Sequence, residues 1–334
     1  MPTIRIEGTE IEFESAPDDV VLRAALRSGL GFPYECNVGA CGNCRFELLE
    51  GEVRHEWDSP PAWGERDQKR NRWLGCQARP LTDCRIKLRQ DENCISKHRP
   101  VRTRARLTEV RPITHDISEF AFAPDEAVSF LPGQYALLDL PGVDGRRAYS
   151  MCNTPSGGGE WRFQIKRAPG GAGTAKLFDG LNVGDEIGID GPFGMAWLRE
   201  DAPRDIVCIA GGSGLSPMIS IARAAAASES LSGRDIHFFY GGRAPRDICG
   251  EDMLAELPGW GGRIHYHAAI SEEGHGDWSG PIGFVHDLAR ETLGEAIAEH
   301  EIYFGGPPAM AQAVQKMLFD LKVPFERVHF DQFY

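Results

Sequence analysis

The sequence predicts a multidomain protein with a small α+β domain, an antiparallel β-barrel and a parallel-sheet α/β domain, in that order. A chain of 334 residues is longer than a single hydrophobic core usually serves. Residues 101–198 contain many short alternating strands punctuated by Gly and Pro, which is typical of a barrel. After residue 204, continuous apolar strands alternate with helices, which indicates a parallel sheet. We place the domains at residues 1–92, 101–200 and 204–334.

The charge and the apolar content of the chain argue against nucleic acid and membrane as partners. The chain has 36 basic and 49 acidic residues and a net charge of −13, which argues against nucleic acid, because phosphate binding needs clustered Lys and Arg. It has no uninterrupted apolar run of about 18 residues, so we expect no membrane-spanning segment. Residues 1–14 are acidic and alternating, unlike a secretory signal. We therefore expect a cytoplasmic protein with reduced thiols.

The spacing of apolar residues along the chain predicts its strands and helices. A hairpin is predicted over residues 4–13, where apolar and polar residues alternate on both sides of a glycine turn. A helix follows, because apolar residues of 21–26 recur at helical spacing, and Asp18 and Asp19 suit its N-terminal dipole. Barrel strands are predicted around residues 110, 120–122, 135–140, 161–165 and 186–189. In the last domain we expect strands at 206–210, 236–240 and 302–304, and helices from Pro217 and over 310–321.

Four cysteines in the first quarter of the chain have the spacing of a single cofactor site. Cys36, Cys41 and Cys44 form C-x4-C-x2-C, and Cys76 follows after 31 residues. This is the plant-type pattern for a [2Fe–2S] cluster, in which three thiolates share one loop and a distant fourth joins from another segment. Small residues within 39–42 let the backbone N–H groups of the loop point at sulfur.

Zinc and disulfides are weaker alternatives for these thiols. Zinc sites favour paired C-x2-C units, and only Cys41 and Cys44 form one. Disulfides are rare in a chain without a secretory signal. The other five cysteines lack such spacing, and we expect buried or inert thiols at Cys84, Cys94, Cys152, Cys208 and Cys249.

The segment from Tyr34 to Cys44, YECNVGACGNC, resembles the N-terminal ferredoxin domain of NAD(P)H-dependent reductases of multicomponent aromatic-ring oxygenases. The chain resembles in particular the reductases of carbazole- and tetralin-type dioxygenases and of toluene and phenol monooxygenases. It implies a β-grasp ferredoxin domain, a flavin barrel and an NAD(P)-binding domain, holding a [2Fe–2S] cluster, FAD and NADH, with NADPH as a possibility. It also implies electron transfer to a ferredoxin or to a terminal oxygenase component. The alternative is a ferredoxin-like carrier whose flavin module does not turn over.

A motif in the barrel resembles a flavin-binding signature. Residues 147–150 match the R-x-Y-S of the ferredoxin–NADP reductase superfamily. The resemblance implies that Arg147 pairs with the flavin diphosphate, Tyr149 stacks on the isoalloxazine and Ser150 donates a hydrogen bond near flavin N5. By itself, the motif fits a strand with a buried tyrosine equally well.

Two later segments of the barrel extend the flavin assignment. Ile165 and Lys166 resemble the next flavin strand of the family. Gly171 and Thr174 then stand at the start of a predicted helix, where backbone N–H groups can bind pyrophosphate. A plain flexible loop is the alternative for this glycine run.

Three segments of the last domain resemble the nicotinamide site of the same superfamily. The turn after the strand at 206–210 reads G-G-x-G-x-x-P, with Gly211, Gly212, Gly214 and Pro217. Its glycines let backbone approach a pyrophosphate at a helix start, although glycine turns after buried strands are common. The second segment, F-Y-G-x-R, ends in an arginine that could meet the adenosine ribose or a 2′-phosphate. The third resembles C-G-P-P-x-M with glycine in the cysteine position. Their predicted contact residues are Arg243, Gly305, Gly306, Pro307 and Met310.

The last residues resemble the acidic-then-aromatic ending that lies beside the flavin in the family. Asp331 is the acidic residue, and Phe333 is a better candidate than Tyr334 for the aromatic ring that covers the flavin. Simple packing of a C-terminal strand is the alternative. With Tyr149 and Ser150, these residues complete the predicted catalytic set.

Overall fold

The computed structural model describes residues 1–126, 128–155, 159–274, 276–331 and 333. The chain folds into two compact units. The first consists of residues 1–103, 137–148 and 188–193, and the second of residues 104–136, 149–187 and 194–334. Among the described residues, none of the helices has the length and apolar character needed to cross a bilayer.

The N-terminal segment forms a mixed sheet with one packed helix. Its elements are β1 (Thr3–Ile6), β2 (Glu12–Glu14), α1 (Val21–Arg27), β3 (Arg45–Glu50), β4 (Val53–His55), α2 (Glu65–Lys69), β5 (Arg72–Leu74), β6 (Ala78–Pro80) and β7 (Cys84–Lys87). Five strands form one sheet in the order β2-β1-β7-β3-β5, and β4 pairs with β6. The predicted hairpin is confirmed, because β1 and β2 pair antiparallel.

Helix α1 begins later than its acidic residues suggest. Val20 is the cap residue and provides no side-chain cap, so the role we predicted for Asp18 and Asp19 at the helix dipole is wrong in detail. Asp19 instead lies 2.8 Å from the Arg27 guanidinium and 3.4 Å from that of Arg23. Those two cations are stronger partners for a buried carboxylate than a helix terminus is.

The middle segment forms the predicted antiparallel barrel. Its elements are β8 (Val101–Pro112), β9 (Ile117–Pro124), β10 (Tyr135–Asp139), β11 (Arg147–Ser150), β12 (Trp161–Lys166), α3 (Ala172–Asp179) and β13 (Glu186–Phe193). The strand order is β11-β10-β13-β8-β9-β12. An antiparallel bridge between Met151 and Phe163 brings the two edge strands together, so the sheet nearly closes.

The last segment forms the predicted parallel sheet between helices. Its elements are β14 (Ile206–Gly211), α4 (Leu215–Ala227), β15 (Ile236–Gly242), α5 (Glu251–Ala255), β16 (Ile264–Ile270), α6 (Val285–Leu293), β17 (Glu301–Gly305), α7 (Pro308–Asp320) and β18 (Val328–Phe330). All four neighbouring pairs in the order β16-β15-β14-β17-β18 are parallel. Helix α4 starts two residues before Pro217, since proline is tolerated in a first helical turn.

Candidate functional site

The four predicted ligand cysteines lie together in the first unit. Their thiols form two hydrogen-bonded pairs, one of Cys36 with Cys41 and one of Cys44 with Cys76. Three of the four are buried and Cys41 is half-buried. All nine thiols of the chain are free, so none is used in a disulfide. A set of four clustered thiols has the ligand number and type that a [2Fe–2S] cluster requires.

Backbone N–H groups of the loop point at the sulfur atoms. Cys41 N donates to Cys36 Sγ at 3.3 Å, and Asn43 N donates to Cys41 Sγ at 3.5 Å. The loop reaches this shape through left-handed residues, with φ of 90° at Gly39 and 81° at Gly42. A side chain is strained at such φ values, which explains the glycines of the motif.

Each pair of thiols favours one negative charge. The hydrogen bond from Cys41, helped by backbone N–H groups, lowers the pKa of Cys36 to about 5, and the same contact raises the pKa of Cys41. Likewise the Cys76 thiol lowers the pKa of Cys44, while the pKa of Cys76 is raised by Cys44. Thiolate is the form that binds iron, so the loop is chemically suited to the cluster.

A buried arginine supports the fourth cysteine. The Arg23 side chain is 2% exposed, and its Nη1 donates to Cys76 O at 3.3 Å. Its charge is balanced by Asp19 and by Glu56, whose Oε2 lies 3.2 Å from Nη2. Sequence reasoning missed this residue, because the only local signal is an arginine among the apolar positions of α1.

The R-x-Y-S residues lie on β11 with different surroundings. Arg147 Nη1 donates to the carbonyls of Asp144 at 3.0 Å and Gly145 at 3.1 Å, so its guanidinium folds over its own turn. Tyr149 is half-buried and Ser150 is buried. The flavin roles of all three stay predictions.

The second flavin segment lies beside the glycine turn of β14. Ile165 is buried, and Lys166 Nζ forms an ion pair with Asp116 at 2.8 Å. A Cβ atom built on Gly212 would lie 3.3 Å from Lys166 Cδ, so the strand and the turn are in contact. The structure therefore brings these two predicted sites together.

The glycine run before α3 forms a compact helix start. Gly171 is the cap residue of α3, and Thr174 Oγ1 donates to Gly171 O at 3.1 Å. The same hydroxyl accepts a bond from Ala168 N at 3.2 Å. A cavity of about 420 Å³ opens against this loop. Thr174 is thus engaged with its own loop, and its contact with pyrophosphate stays a prediction.

The predicted nicotinamide residues converge at the carboxyl ends of β14 and β17. A Cβ atom built on Gly214 would lie 1.8 Å from Gly305 O and 2.8 Å from Gly306 N. One built on Gly211 would lie 2.7 Å from Met310 Sδ and 3.7 Å from Pro307 Cδ. These glycines therefore allow two backbone segments to approach each other at the start of α4, and we call this meeting point the glycine cradle. Backbone N–H groups at a helix start suit the pyrophosphate of a dinucleotide.

The remaining predicted residues have separate surroundings. A Cβ atom on Gly305 would lie 3.5 Å from Pro217 Cγ and 3.6 Å from Phe333 Cζ, which are ordinary contacts. Asp331 lies near the chain turn at Gly194. Arg243 follows β15 with an exposed side chain. Tyr334 lies outside the described residues.

Helix α4 holds the strand that carries Ser150. Ser216 Oγ donates to Ser150 O at 2.6 Å and accepts from Gln164 N at 3.1 Å. Further along α4, Ser220 Oγ donates to Asn153 O at 2.8 Å. These links join the predicted flavin strands to the helix that begins at the glycine turn. Sequence reasoning missed them, since polar residues on a helix carry no signal of such distant partners.

Three family models match the chain in succession. A 2Fe-2S iron-sulfur cluster binding domain matches residues 4–81, an oxidoreductase FAD-binding domain residues 104–197 and an oxidoreductase NAD-binding domain residues 208–316. Together with the paired thiols and the glycine cradle, they define an iron–sulfur flavoprotein oxidoreductase that uses NAD(P)H.

Similar proteins span nearly the whole chain. The ferredoxin–NAD(P)+ reductase of Metapseudomonas resinovorans is 39% identical over 318 residues, 94% of each chain. The ferredoxin–NAD+ reductase component of the alkene monooxygenase system of Xanthobacter autotrophicus is 37% identical, covering 96% of this chain and 97% of its own. A solved ferredoxin reductase in carbazole 1,9a-dioxygenase is 36% identical with a TM-score of 0.92, covering 100% and 98%. The chain belongs to the family of ferredoxin–NAD(P)+ reductase components of oxygenase systems. It transfers electrons from NAD(P)H through FAD and a [2Fe–2S] cluster.

Proposed function

We propose that this reductase uses NADH and delivers single electrons to a ferredoxin or directly to the terminal oxygenase of a system that oxidises aromatic compounds. The observation that carries the proposal is the presence, in one chain, of four paired thiols and a glycine cradle for a dinucleotide. A relative of known structure is the ferredoxin reductase in carbazole 1,9a-dioxygenase, which supports the aromatic assignment. The nine free thiols support a cytoplasmic location.

We assign the iron ligands to Cys36, Cys41, Cys44 and Cys76. Backbone N–H groups of the loop stabilise negative charge on the sulfurs, as the lowered pKa of Cys36 indicates. We also assign residues 1–92, 101–200 and 204–334 to the cluster, flavin and nucleotide domains. The three matched models lie within these limits, at 4–81, 104–197 and 208–316, which supports the division.

On the flavin side, the chain supplies orientation and charge. Arg147 would exchange the carbonyls of its own turn for the flavin diphosphate, since a guanidinium binds a phosphate more strongly than a neutral oxygen. Tyr149 would stack on the ring system, and the Ser150 hydroxyl would donate a hydrogen bond near N5. Bound FAD supplies the chemistry of accepting a hydride and releasing single electrons, and the cluster that of one-electron transfer.

On the nucleotide side, the backbone does most of the positioning. The turn at Gly211–Gly214 presents N–H groups at the start of α4 to the pyrophosphate, and Gly305 and Gly306 orient the nicotinamide. The Phe333 ring, beside Gly305, would move aside when the nicotinamide enters. Asp331, near Gly194, would supply a carboxylate beside the flavin.

The proposed preference for NADH rests on the surroundings of Arg243. Its side chain is exposed, so a 2′-phosphate would gain only a solvent-screened contact. We expect kcat/KM for NADH to exceed that for NADPH at least tenfold. An equal or reversed ratio in steady-state assays with ferricyanide would contradict the preference without touching the electron path.

The path itself is tested by reducing the purified protein. Holoprotein should show flavin and iron–sulfur absorbance, and anaerobic NADH should bleach both. If NADH reduces neither chromophore while dithionite reduces both, the chain is not a working reductase and the proposal fails.

The order of carriers is tested by removing one ligand. Cys41→Ser should abolish reduction of a ferredoxin and leave NADH–ferricyanide activity through the flavin largely intact. Cys84→Ser is the matched control, because Cys84 is a buried thiol of the same domain whose Sγ donates to backbone oxygens at 3.2 and 3.7 Å. Unchanged ferredoxin reduction by Cys41→Ser would exclude the cluster from the route.

A further inference from the structure

Four histidines gather on one face of the parallel sheet, away from the glycine cradle. His237 on β15 lies directly opposite His265 on β16, with ring centroids 4.8 Å apart and planes 23° from parallel. His267 stacks 6.0 Å from His237, and His300 meets it edge-on at 5.7 Å. No step of the proposed electron transfer uses these side chains.

A carboxylate completes a possible ligand set. Asp235 precedes β15, and ligand atoms of Asp235, His237 and His265 all lie within 4.8 Å of one another. Asp235 Oδ2 lies 3.8 Å from His265 Nε2. Tetrahedral zinc with bonds of about 2.0–2.1 Å needs ligand atoms about 3.4 Å apart. Small side-chain rotations would therefore bring the ligand atoms of these three residues to the separations that a bound zinc ion needs.

One ring of this set lacks a hydrogen bond. His237 Nδ1 is a buried nitrogen with no hydrogen-bond partner in the described part of the chain. A buried polar atom without a partner is costly, and a metal ion satisfies a ring nitrogen as a proton donor would.

We propose that Asp235, His237 and His265 form a binding site for a divalent first-row transition metal ion such as Zn²⁺. Two imidazoles and one carboxylate are ligands that zinc accepts, with water in the fourth position. The site lies at the amino end of β15, whereas the nucleotide turns follow the carboxyl ends of the strands. The seven-residue length of β15, at about 3.3 Å per residue, separates the two ends by roughly 20 Å.

Because the site is far from the glycine cradle, we expect the ion to stabilise the fold and to take no part in electron transfer. It would join β15, β16 and the turn at Asp235, and an ion that binds only the folded chain raises its melting temperature. At 100-fold excess over Kd we expect a rise of roughly 5 °C. Electron transfer from NADH to ferricyanide should be unchanged, because the site is remote from the cradle.

Isothermal titration of the holoprotein with ZnCl₂, after treatment with a mild chelator, tests the site. Cluster absorbance is followed throughout, so that zinc capture by released cysteines is recognised. We expect one zinc ion per chain, with affinity weakened at least tenfold in His237→Ala and in His265→Gln. The second variant changes a more exposed ring, so the test stands even if the first variant folds poorly. His286→Gln is the control, since His286 has a neighbouring Asp287 at 3.7 Å and, among the described residues, belongs to no candidate ligand set.

Co²⁺ serves as a spectroscopic probe of ligand type. We expect d–d bands without thiolate charge transfer, because the proposed ligands are nitrogen and oxygen. Absence of saturable zinc binding up to 1 mM, binding unchanged in His265→Gln, or a thiolate signature with Co²⁺ would each overturn the proposal.

Discussion

Gly214 is the position where one added methyl group should do most harm. Its Cβ would lie 1.8 Å from Gly305 O, 2.3 Å from Gly305 C and 2.8 Å from Gly306 N. All three atoms are backbone atoms of the last residue of β17 and the residue after it. In Gly214→Ala, the glycine turn and this segment must therefore separate, since neither can rotate a side chain away.

The size of the effect follows from that distance. Ordinary Cβ contacts begin near 3.4 Å, so the two segments must move apart by about 1.6 Å, the difference between 3.4 and 1.8 Å. A displacement of about 1 Å in a reacting geometry can cost roughly 100-fold in rate. Overpacking of this kind also costs about 1–3 kcal/mol of stability. We expect flavin reduction by NADH to slow at least 100-fold and the Tm to fall by several degrees.

Anaerobic stopped-flow measurement of flavin reduction by NADH gives the rate. Dithionite reduction of the same samples shows whether flavin and cluster are still in place. Two further variants test whether the loss of rate follows the severity of the steric contact. Gly211→Ala meets Met310 Sδ at 2.7 Å, the mobile end of a flexible side chain, so a smaller loss is expected. Gly233→Ala meets nothing within 4 Å and should match the wild type.

A Gly214→Ala rate within threefold of the wild type would refute the steric reasoning. So would an equal loss in all three variants, because the order of severity is what the contacts dictate. If Gly214→Ala does not fold, Gly211→Ala still distinguishes the outcomes.

Three more predictions concern the rest of the chain. Gly42→Ala places a side chain at φ 81° and should lower cluster occupancy at least twofold, read from iron and acid-labile sulfide per chain. Ser216→Ala removes the hydroxyl bridge to Ser150 O and should lower the free energy of unfolding by about 1–3 kcal/mol in urea titrations, with slower flavin reduction. Burial alone would raise the pKa of Glu119, but a hydrogen bond from Gln164 and nearby arginines outweigh it and lower the pKa below 4.5. A depressed carboxyl pKa contributes stability above its unfolded value that is lost as pH falls through the folded value, so wild type and Glu119→Gln should differ at pH 7 and converge below about pH 4.5 in urea unfolding.

The parts of the site that the sequence could predict are those specified by local spacing. The four cysteines and the glycines after β14 and β17 are each recognisable within a short segment. Their meeting at one place follows from parallel pairing, which sets Ala210 beside Gly305. The class of fold was predictable for the same reason, since strand alternation and apolar runs are local properties.

The contacts that sequence reasoning missed join residues far apart in the chain. Arg27 and Asp190 form two hydrogen bonds of 2.8 Å across 163 positions, and neither residue stands in a recognisable motif. Thr174 is the opposite case, a residue that stands in a recognisable motif but whose hydroxyl has another partner in the structure. Its place before a helix predicts an anion contact, but its hydroxyl is already bonded within the loop, because a nearby carbonyl is always available to a short polar side chain.

The hydrogen bonds of α4 determine which segments of the chain can be exchanged between homologous reductases in a chimera. From a helix of the nucleotide segment, Ser216 bonds to the last residue of β11 and Ser220 bonds to Asn153, three residues further on. A chimera joined at the boundary near residue 204 would cut both links and leave buried carbonyls without donors. Recombination should instead move the barrel and the nucleotide segment as one block, and a junction near residue 100 needs both Arg27 and Asp190 to be kept, because their hydrogen bonds join α1 to β13.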